Sequence, residues 1–332
     1  MLRKLCVLSS LFVLCLTATA QDSRHFTFHY AFTVKNLPAR KKVRIWIPAA
    51  QSNRYQEVKI ISAQGDMPLK KTRESKYGNE IFFAETANSS QPELHFDVEY
   101  DVLRRERVAL KSAPQIVATA LTSKERQEDL QPDALVPVTG LPADLAAKVT
   151  EGKAQPLDKA RVIYDYVFTT MKYDKTGTGW GHGDVLYACD AKKGNCTDFH
   201  SLFIAMARSQ GIPARFEIGF PLPPDKHSAE IAGYHCWSDF YVEGKGWIPV
   251  DISEAWKHPE KRDYFFGSHD VNRVQFSMGR DLHLTPAQSG KPLNYFVYPY
   301  VEVDEKEYSN VSLDFSFADV APTVASSTLS QQ

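Results

Sequence analysis

From His25 to about Val108, apolar residues recur at every second position. Phe26, Phe28, Tyr30, Phe32 and Val34 form one series; Val43, Ile45 and Ile47 form a second. Leu94, Phe96, Val98, Tyr100 and Val102 form a third. Successive side chains of a strand point to opposite faces, so this period predicts half-buried antiparallel strands. Turn chemistry separates them at Asn36-Leu37-Pro38, Gln64-Gly65-Asp66 and Tyr77-Gly78-Asn79. The pattern predicts an all-β sandwich over residues 21–108. It contains no cluster of catalytic residue types, so it reads as a scaffold or a substrate-binding element.

The period then changes. Residues 109–155 are broken by Pro114, Pro132, Pro137 and Pro142 and read as a helical connector of short helices. A helix is predicted from Pro156, with Ala160, Ile163, Val167 and Met171 on one face. Gly177, Gly179, Gly181 and Gly183 mark a loop around Trp180. Phe199, Leu202, Phe203 and Met206 repeat at helical spacing, and Gly211 and Pro213 end that helix. Cys196 therefore falls at, or within one residue of, the helix N-terminus. Trp237, Phe240 and Val242, then Trp247, Ile248 and Val250, read as strands paired around Glu243-Gly244-Lys245-Gly246. Further strands are expected within 271–303, and residues 321–332 read as a disordered tail. The whole is an α+β chain, its second block spanning 156–320.

Charge narrows the function. Lys plus Arg number 39 against 40 Asp plus Glu, so no basic excess points to nucleic acid. Arg3 and Lys4, the apolar run Leu5 to Leu16, and Ala18-Thr19-Ala20 make a signal peptide over residues 1–20. The apolar run is shorter than a membrane span requires. The expected mature protein is secreted or periplasmic, with no stable membrane insertion after cleavage. Cleavage removes Cys6 and Cys15 and leaves Cys189, Cys196 and Cys236. An odd number of cysteines in an oxidising compartment suggests one free, reactive thiol.

The chemistry gathers around Cys196. A helix N-terminus favours negative charge and lowers a thiol pKa, and a nearby imidazole adds to that effect. His235 begins one strand of the predicted hairpin and Asp251 ends the other. Pairing of those strands makes their ends neighbours, so a carboxylate stands behind an imidazole that serves the thiol.

The segments Gly194-Asn195-Cys196-Thr197-Asp198, Gly211-Ile212-Pro213-Ala214-Arg215, Tyr234-His235-Cys236-Trp237 and Gly246-Trp247-Ile248-Pro249-Val250-Asp251 resemble the bacterial transglutaminase-like superfamily. Residues 25–108 are similar to the β-sandwich that precedes this core in some members. The resemblance implies a papain/transglutaminase-like catalytic domain with Cys196 as nucleophile, His235 as base and acid, and Asp251 orienting His235. The chain is read as an acyl-transfer enzyme that cleaves or transfers an amide through a thioester, hydrolysis being slightly favoured because water is the default acceptor where no amine site is evident. A protein-glutamine transglutaminase and a non-catalytic binding protein with a vestigial site are the alternatives. The expected partner is a protein or peptide substrate, a cell-wall peptide among the candidates. No cofactor is expected, and no Asp/Glu array suggests a calcium site.

Ordinary readings compete at several positions. A free cysteine is commonly just a small buried residue, a strand histidine a packing group, and Asp251 a cap before Ile252-Ser253-Glu254. Cys189, Cys196, His200 and Cys236 would be a zinc set, but their spacing matches no common structural site, so no metal is expected. His200 reads as a packing or hydrogen-bonding residue and Asp198 as a capping carboxylate. Cys236 follows His235 on a strand and points to the opposite face, buried or paired with Cys189. For the second oxyanion donor, beside the Cys196 N–H, the candidates are the Tyr173 hydroxyl and the Trp180 indole. The resemblance favours Tyr173.

Overall fold

A computed structural model describes residues 22–110 and 120–321. The predicted signal peptide, part of the connector and all but the first residue of the predicted tail lie outside them.

The alternating N-terminal pattern forms strands β1 (Ser23–Val34), β2 (Val43–Pro48), β3 (Gln56–Gly65), β4 (Lys70–Arg73), β5 (Glu80–Thr86) and β6 (Leu94–Arg105), then a short β7 (Arg107–Val108). Along β1 the even positions Phe26, Phe28, Tyr30, Phe32 and Val34 are buried, while their neighbours stay partly exposed. That is the alternation a strand with one wet face requires.

Helices α1 (Ser123–Glu128), α2 (Leu141–Val149) and α3 (Pro156–Thr170) follow. Ala160, Ile163 and Val167 form the buried face of α3. The short β8 (Lys172–Tyr173) and β9 (Lys193–Gly194) pair in parallel around α4 (Val185–Ala191). Helix α5 (Cys196–Ser209) is the central helix, and Cys196 through Arg208 are all buried.

Next come β10 (Ala214–Pro221), β11 (Ser228–Glu230), β12 (His235–Val242), β13 (Gly246–Val250), α6 (Ile252–Lys257), β14 (Ser268–His269) and β15 (Arg273–Met278). Strands β12 and β13 are the predicted hairpin, with Val242 opposite Gly246 and Ser238 opposite Val250. They join β10 and β15 in a four-stranded sheet of order β13-β12-β10-β15, against which α5 packs. The chain continues through β16 (Tyr300–Val303), β17 (Lys306–Glu307) and β18 (Val311–Asp319).

These last strands return to the N-terminal region. One five-stranded sheet has the order β11-β18-β1-β6-β3 and the other the order β17-β16-β2-β5-β4. Sequence order groups residues 300–319 with the second block, but in space they complete both N-terminal sheets. Alternation marks a strand without naming its partner, so pairing this distant in sequence left no local signal.

The sandwich and the four-stranded sheet share one apolar core. Phe28 of β1 meets Phe220 of β10, with ring centroids 5.2 Å apart. Tyr30 stacks on Phe276 of β15 at 5.4 Å. A buried ion pair pins β7 to β12, where Arg107 Nη1 lies 2.9 Å from both Asp239 carboxylate oxygens. Nothing slides easily across such a seam, because any shift leaves a buried charge unpaired.

Candidate active site

Asn195 is the N-cap of α5, its side-chain oxygen accepting the Thr197 N–H at 2.8 Å. Asp198 returns the favour from the first turn, accepting the Asn195 N–H at 2.9 Å, so the pair is a capping box. Asp198 also accepts from the Gly181 N–H at 2.7 Å and the Gly183 N–H at 3.0 Å. It thereby ties the glycine loop to the helix start and acts as a structural carboxylate. Gly194 is required here: a Cβ at that position would run into the Asp198 carboxylate. Cys196 is thus the first residue of a rigidly capped helix, where backbone N–H groups lack intrahelical partners and favour an anion.

His235 opens β12 and is 4% exposed. Its Nε2 lies 2.8 Å from Asp251 Oδ2. The other ring nitrogen, Nδ1, is left for the Cys196 sulfur, with which His235 shares a hydrogen bond. The β12–β13 ladder ends at Ser238 and Val250, so Asp251 lies just beyond it and its side chain spans the remaining gap. Asp251 is also the N-cap of α6: Oδ1 accepts from the Glu254 N–H at 3.1 Å and the Ser253 hydroxyl at 3.2 Å. The capping role and the contact with His235 belong to the same carboxylate.

Burial works against every charge in this group, and the neighbours reverse it. Burial raises the Cys196 thiol pKa, but hydrogen bonds with Cys236 and His235 and the His235 charge bring it well below the usual value. For His235, burial lowers the pKa, while the charge and hydrogen bond of Asp251 and the hydrogen bond with Cys196 push it up to about 10. Burial also disfavours the charged Asp251, yet His235 and Arg273 hold it well below the usual carboxylate range. A thiolate, an imidazolium and a carboxylate therefore stand in line. Such a line is the arrangement that attacks a carbonyl carbon and then protonates the leaving group.

Two neighbours, Arg273 and Tyr234, carried no assignment from sequence, and a third, Cys236, was expected to lie buried or paired with Cys189. Arg273 of β15 is buried, with Nη1 2.9 Å from Asp251 Oδ2 and its guanidinium 4.9 Å from the Trp237 ring. Its signal was an arginine opening a strand that carries Val274 and Phe276, where a buried guanidinium needs an anion. Tyr234 sets its hydroxyl 3.0 Å from Asn195 Nδ2 and 2.8 Å from Thr197 Oγ1, bracing the helix start from the residue beside His235. Cys236 faces α5 and reaches Thr197 Oγ1 and His200 Nδ1, each at 3.7 Å.

His200 is fully buried and accepts the Ile252 N–H at Nε2, 3.0 Å away. Its proton is therefore on Nδ1, aimed at Cys236, and burial lowers its pKa to about 4. It is a neutral, hydrogen-bonding residue under the site, as the sequence suggested. Cys189, Cys196 and Cys236 are all free thiols.

The two oxyanion candidates separate. Tyr173 lies across the β8–β9 ladder from Gly194, with its ring 6.2 Å from Phe199 and the Lys257 ammonium 4.4 Å from the ring centre. Burial, and then the Cys196 charge, push its phenol pKa up to about 12. Trp180 instead donates its indole N–H to the Gly177 carbonyl at 3.1 Å, a contact internal to the glycine loop. Among the described residues no group of three or more His, Cys, Asp or Glu side chains is arranged to hold a metal ion.

Known proteins are similar to this chain. The chain is 29% identical over 299 residues to an uncharacterised protein of Haemophilus influenzae, covering 79% of this chain and 81% of that one. It is 25% identical over 129 residues to the uncharacterised protein YebA of Bacillus subtilis, covering 35% of this chain and 18% of YebA. Among solved structures, a candidate cysteine protease from Cytophaga hutchinsonii has the same overall fold. Its TM-score is 0.58 at 15% identity, over 90% of this chain and 91% of that one. The model of the transglutaminase-like superfamily matches residues 143–252, a span that holds Cys196, His235 and Asp251. Residues 143–252 thus match the core of the transglutaminase-like superfamily, and a region of β-sheet, β1 to β6, precedes them.

Proposed function

We propose that the protein is a cysteine-dependent acyl-transfer enzyme that cleaves an amide through a thioester on Cys196. The observation that carries the reading is His235, placed between the Cys196 sulfur and Asp251, with Nε2 2.8 Å from the carboxylate.

The Cys196 thiolate attacks the amide carbonyl carbon, and the negative charge moves to the carbonyl oxygen. The Cys196 N–H at the start of α5 is one donor for that oxygen, and the Tyr173 hydroxyl is the second. His235 Nδ1 gives its proton to the leaving nitrogen as the C–N bond breaks. Water then attacks the thioester, His235 takes its proton, and the acid leaves Cys196 free. Asp251 holds the ring through Nε2 and stabilises the imidazolium. Water is the default acceptor because no amine-binding site is evident among the described residues, so a peptidase or amidase is favoured over a protein-glutamine transglutaminase.

The proposal extends to an exported protein acting on a protein or peptide, a cell-wall peptide among the candidates. Its support is the charged start, the apolar run Leu5 to Leu16 and the small-residue pattern at Ala18-Thr19-Ala20. Among the described residues no helix is long and apolar enough to cross a membrane.

The test offers purified protein a peptide library with and without a labelled primary amine. Mass spectrometry separates hydrolysis, deamidation and amine incorporation. Hydrolysis that disappears in Cys196→Ala supports the reading. Amine incorporation at glutamine in preference to hydrolysis makes the protein a transglutaminase, and no turnover in any arm makes it a binding protein.

A further inference from the structure

A second thiol lies at the start of the nucleophile's helix. The Cys236 sulfur is 3.7 Å from Thr197 Oγ1 and 3.7 Å from His200 Nδ1, the residues one and four places after Cys196. Cys196 and Cys236 are both free and buried, at 2% and 0% exposure. Cys236 points from β12 onto the first turns of α5, the helix that Cys196 begins. His235, the neighbour of Cys236, shares its side of the strand with Trp237, the two ring centroids lying 5.9 Å apart. The sulfur of Cys196 sits at the helix tip, within reach of both.

We propose that Cys196 and Cys236 form a reversible redox modification site, closing to an active-site disulfide when a small hydroperoxide enters. The inference rests on Cys196 being the reactive thiolate of the proposed function. The Cys196 sulfur attacks the O–O bond of the peroxide, which breaks. Cys196 becomes a sulfenic acid, the peroxide is reduced, and hydroxide leaves. The Cys236 sulfur then attacks the Cys196 sulfur. The S–S bond forms, the S–O bond breaks, and the Cys236 proton departs with the oxygen as water.

The surroundings favour each step. A nucleophile so nearly closed off admits a molecule the size of hydrogen peroxide more readily than a bulky disulfide. In the resting site burial, and then the Cys196 hydrogen bond and charge, raise the Cys236 pKa and keep it a thiol. Oxidation of Cys196 removes that negative charge, so Cys236 gives up its proton more easily. The His200 Nδ1–H already points at its sulfur and stabilises the anion that attacks. Cys189 is half-buried in α4, and burial pushes its pKa up to about 11, so it is a slow bystander.

The experiment treats the reduced full-length protein with graded hydrogen peroxide, blocks remaining thiols with iodoacetamide, and maps the peptides without reduction. The expected product joins the peptides of Cys196 and Cys236, leaves Cys189 alkylated, and regains Cys196 labelling after dithiothreitol. In Cys236→Ala, and in Cys236→Ser should the first variant fold poorly, Cys196 passes on to sulfinic acid. The labelling recovered by dithiothreitol then falls at least tenfold, each variant being compared with its own untreated sample. The proposal is overturned if wild-type Cys196 reaches sulfinic acid as fast as in the variants, or if the disulfide joins Cys189 instead. A separate arm labels untreated protein with iodoacetamide at mildly acidic pH. Slow labelling of Cys196 there removes the thiolate and with it the proposed function. Fast labelling without a Cys196–Cys236 link removes only the redox site.

Discussion

Arg273 Nη1 lies 2.9 Å from Asp251 Oδ2, the same oxygen that His235 Nε2 meets at 2.8 Å. One buried carboxylate oxygen thus serves two cations, while the other oxygen of Asp251 caps α6. The arginine neutralises a carboxylate that would otherwise depend on His235 alone. Arg273→Met is expected to lower stability by about 3–5 kcal/mol, the usual loss when one member of a buried ion pair is removed. Arg273→Lys restores part of it, since lysine supplies the charge without the planar fork. Denaturant titration checks both, and a Met variant as stable as wild type means that Asp251 does not need the arginine.

Asp251 is tested by two substitutions with different losses. Asn keeps the shape and remains a good N-cap but removes the charge that faces buried Arg273, so Asp251→Asn should fold with about 3–5 kcal/mol less stability and lose about ten- to a thousand-fold in turnover. Ala removes the cap acceptor as well, and adds about 0.5–2 kcal/mol of destabilisation. Turnover and thermal melts measured together separate the roles. A wild-type rate in Asp251→Asn reduces the site to a Cys–His dyad.

Cys196→Ala should abolish turnover and leave the circular dichroism spectrum and melting temperature close to those of wild type. It deletes one sulfur at a helix end whose capping box lies in Asn195 and Asp198. Retained activity in this variant would move the nucleophile to another thiol.

The pH dependence follows from opposite shifts. Cys196, held well below the usual thiol value, is charged down into mildly acidic solution. His235, raised to about 10, keeps its proton until the pH passes through that value. Iodoacetamide labelling should therefore persist below neutrality and weaken only at the acidic limb. Turnover, which also needs the His235 proton, should fall as the pH rises through about 10. His200, lowered to about 4, stays neutral between those limbs and adds none of its own. A labelling rate that rises around pH 8.5, the value of an ordinary thiol, contradicts the ion pair.

Tyr173→Phe and Trp180→Phe distinguish the oxyanion donors. Loss of the Tyr173 hydroxyl should lower kcat by about a hundred- to a thousand-fold with KM little changed. Trp180→Phe should leave kcat within a few-fold, because its N–H belongs to the Gly177 carbonyl. The reverse result would exchange their roles.

The parts of this molecule that local pattern governs were legible in the sequence. The period of β1, the apolar face of α3, and Cys196 at the N-terminus of α5 follow from side-chain spacing and capping chemistry. The β12–β13 hairpin followed from Gly244 and Gly246 between two apolar runs, and with it the approach of Asp251 to His235. What was not legible depends on packing between distant segments. Arg273 reaches Asp251 from another strand of the sheet, and no spacing rule links positions 251 and 273. Strand alternation correctly put His235 and Cys236 on different faces. It could not say that the tip of α5 would lie where both faces reach it.

Strand β18 lies between β1 and β11, with Phe26 opposite Asp319 and Ala229 opposite Phe317. The segment leading to His235 is also hung on it by the Ile231 N–H, which donates to the Phe315 carbonyl at 2.8 Å. On the ribosome, helix, hairpin and nucleophile are all made before the strand that anchors the histidine's approach. Closing a loop that spans nearly the whole chain is slow. The strand that steadies the segment leading to His235 therefore closes late, after the local helices and hairpins have formed.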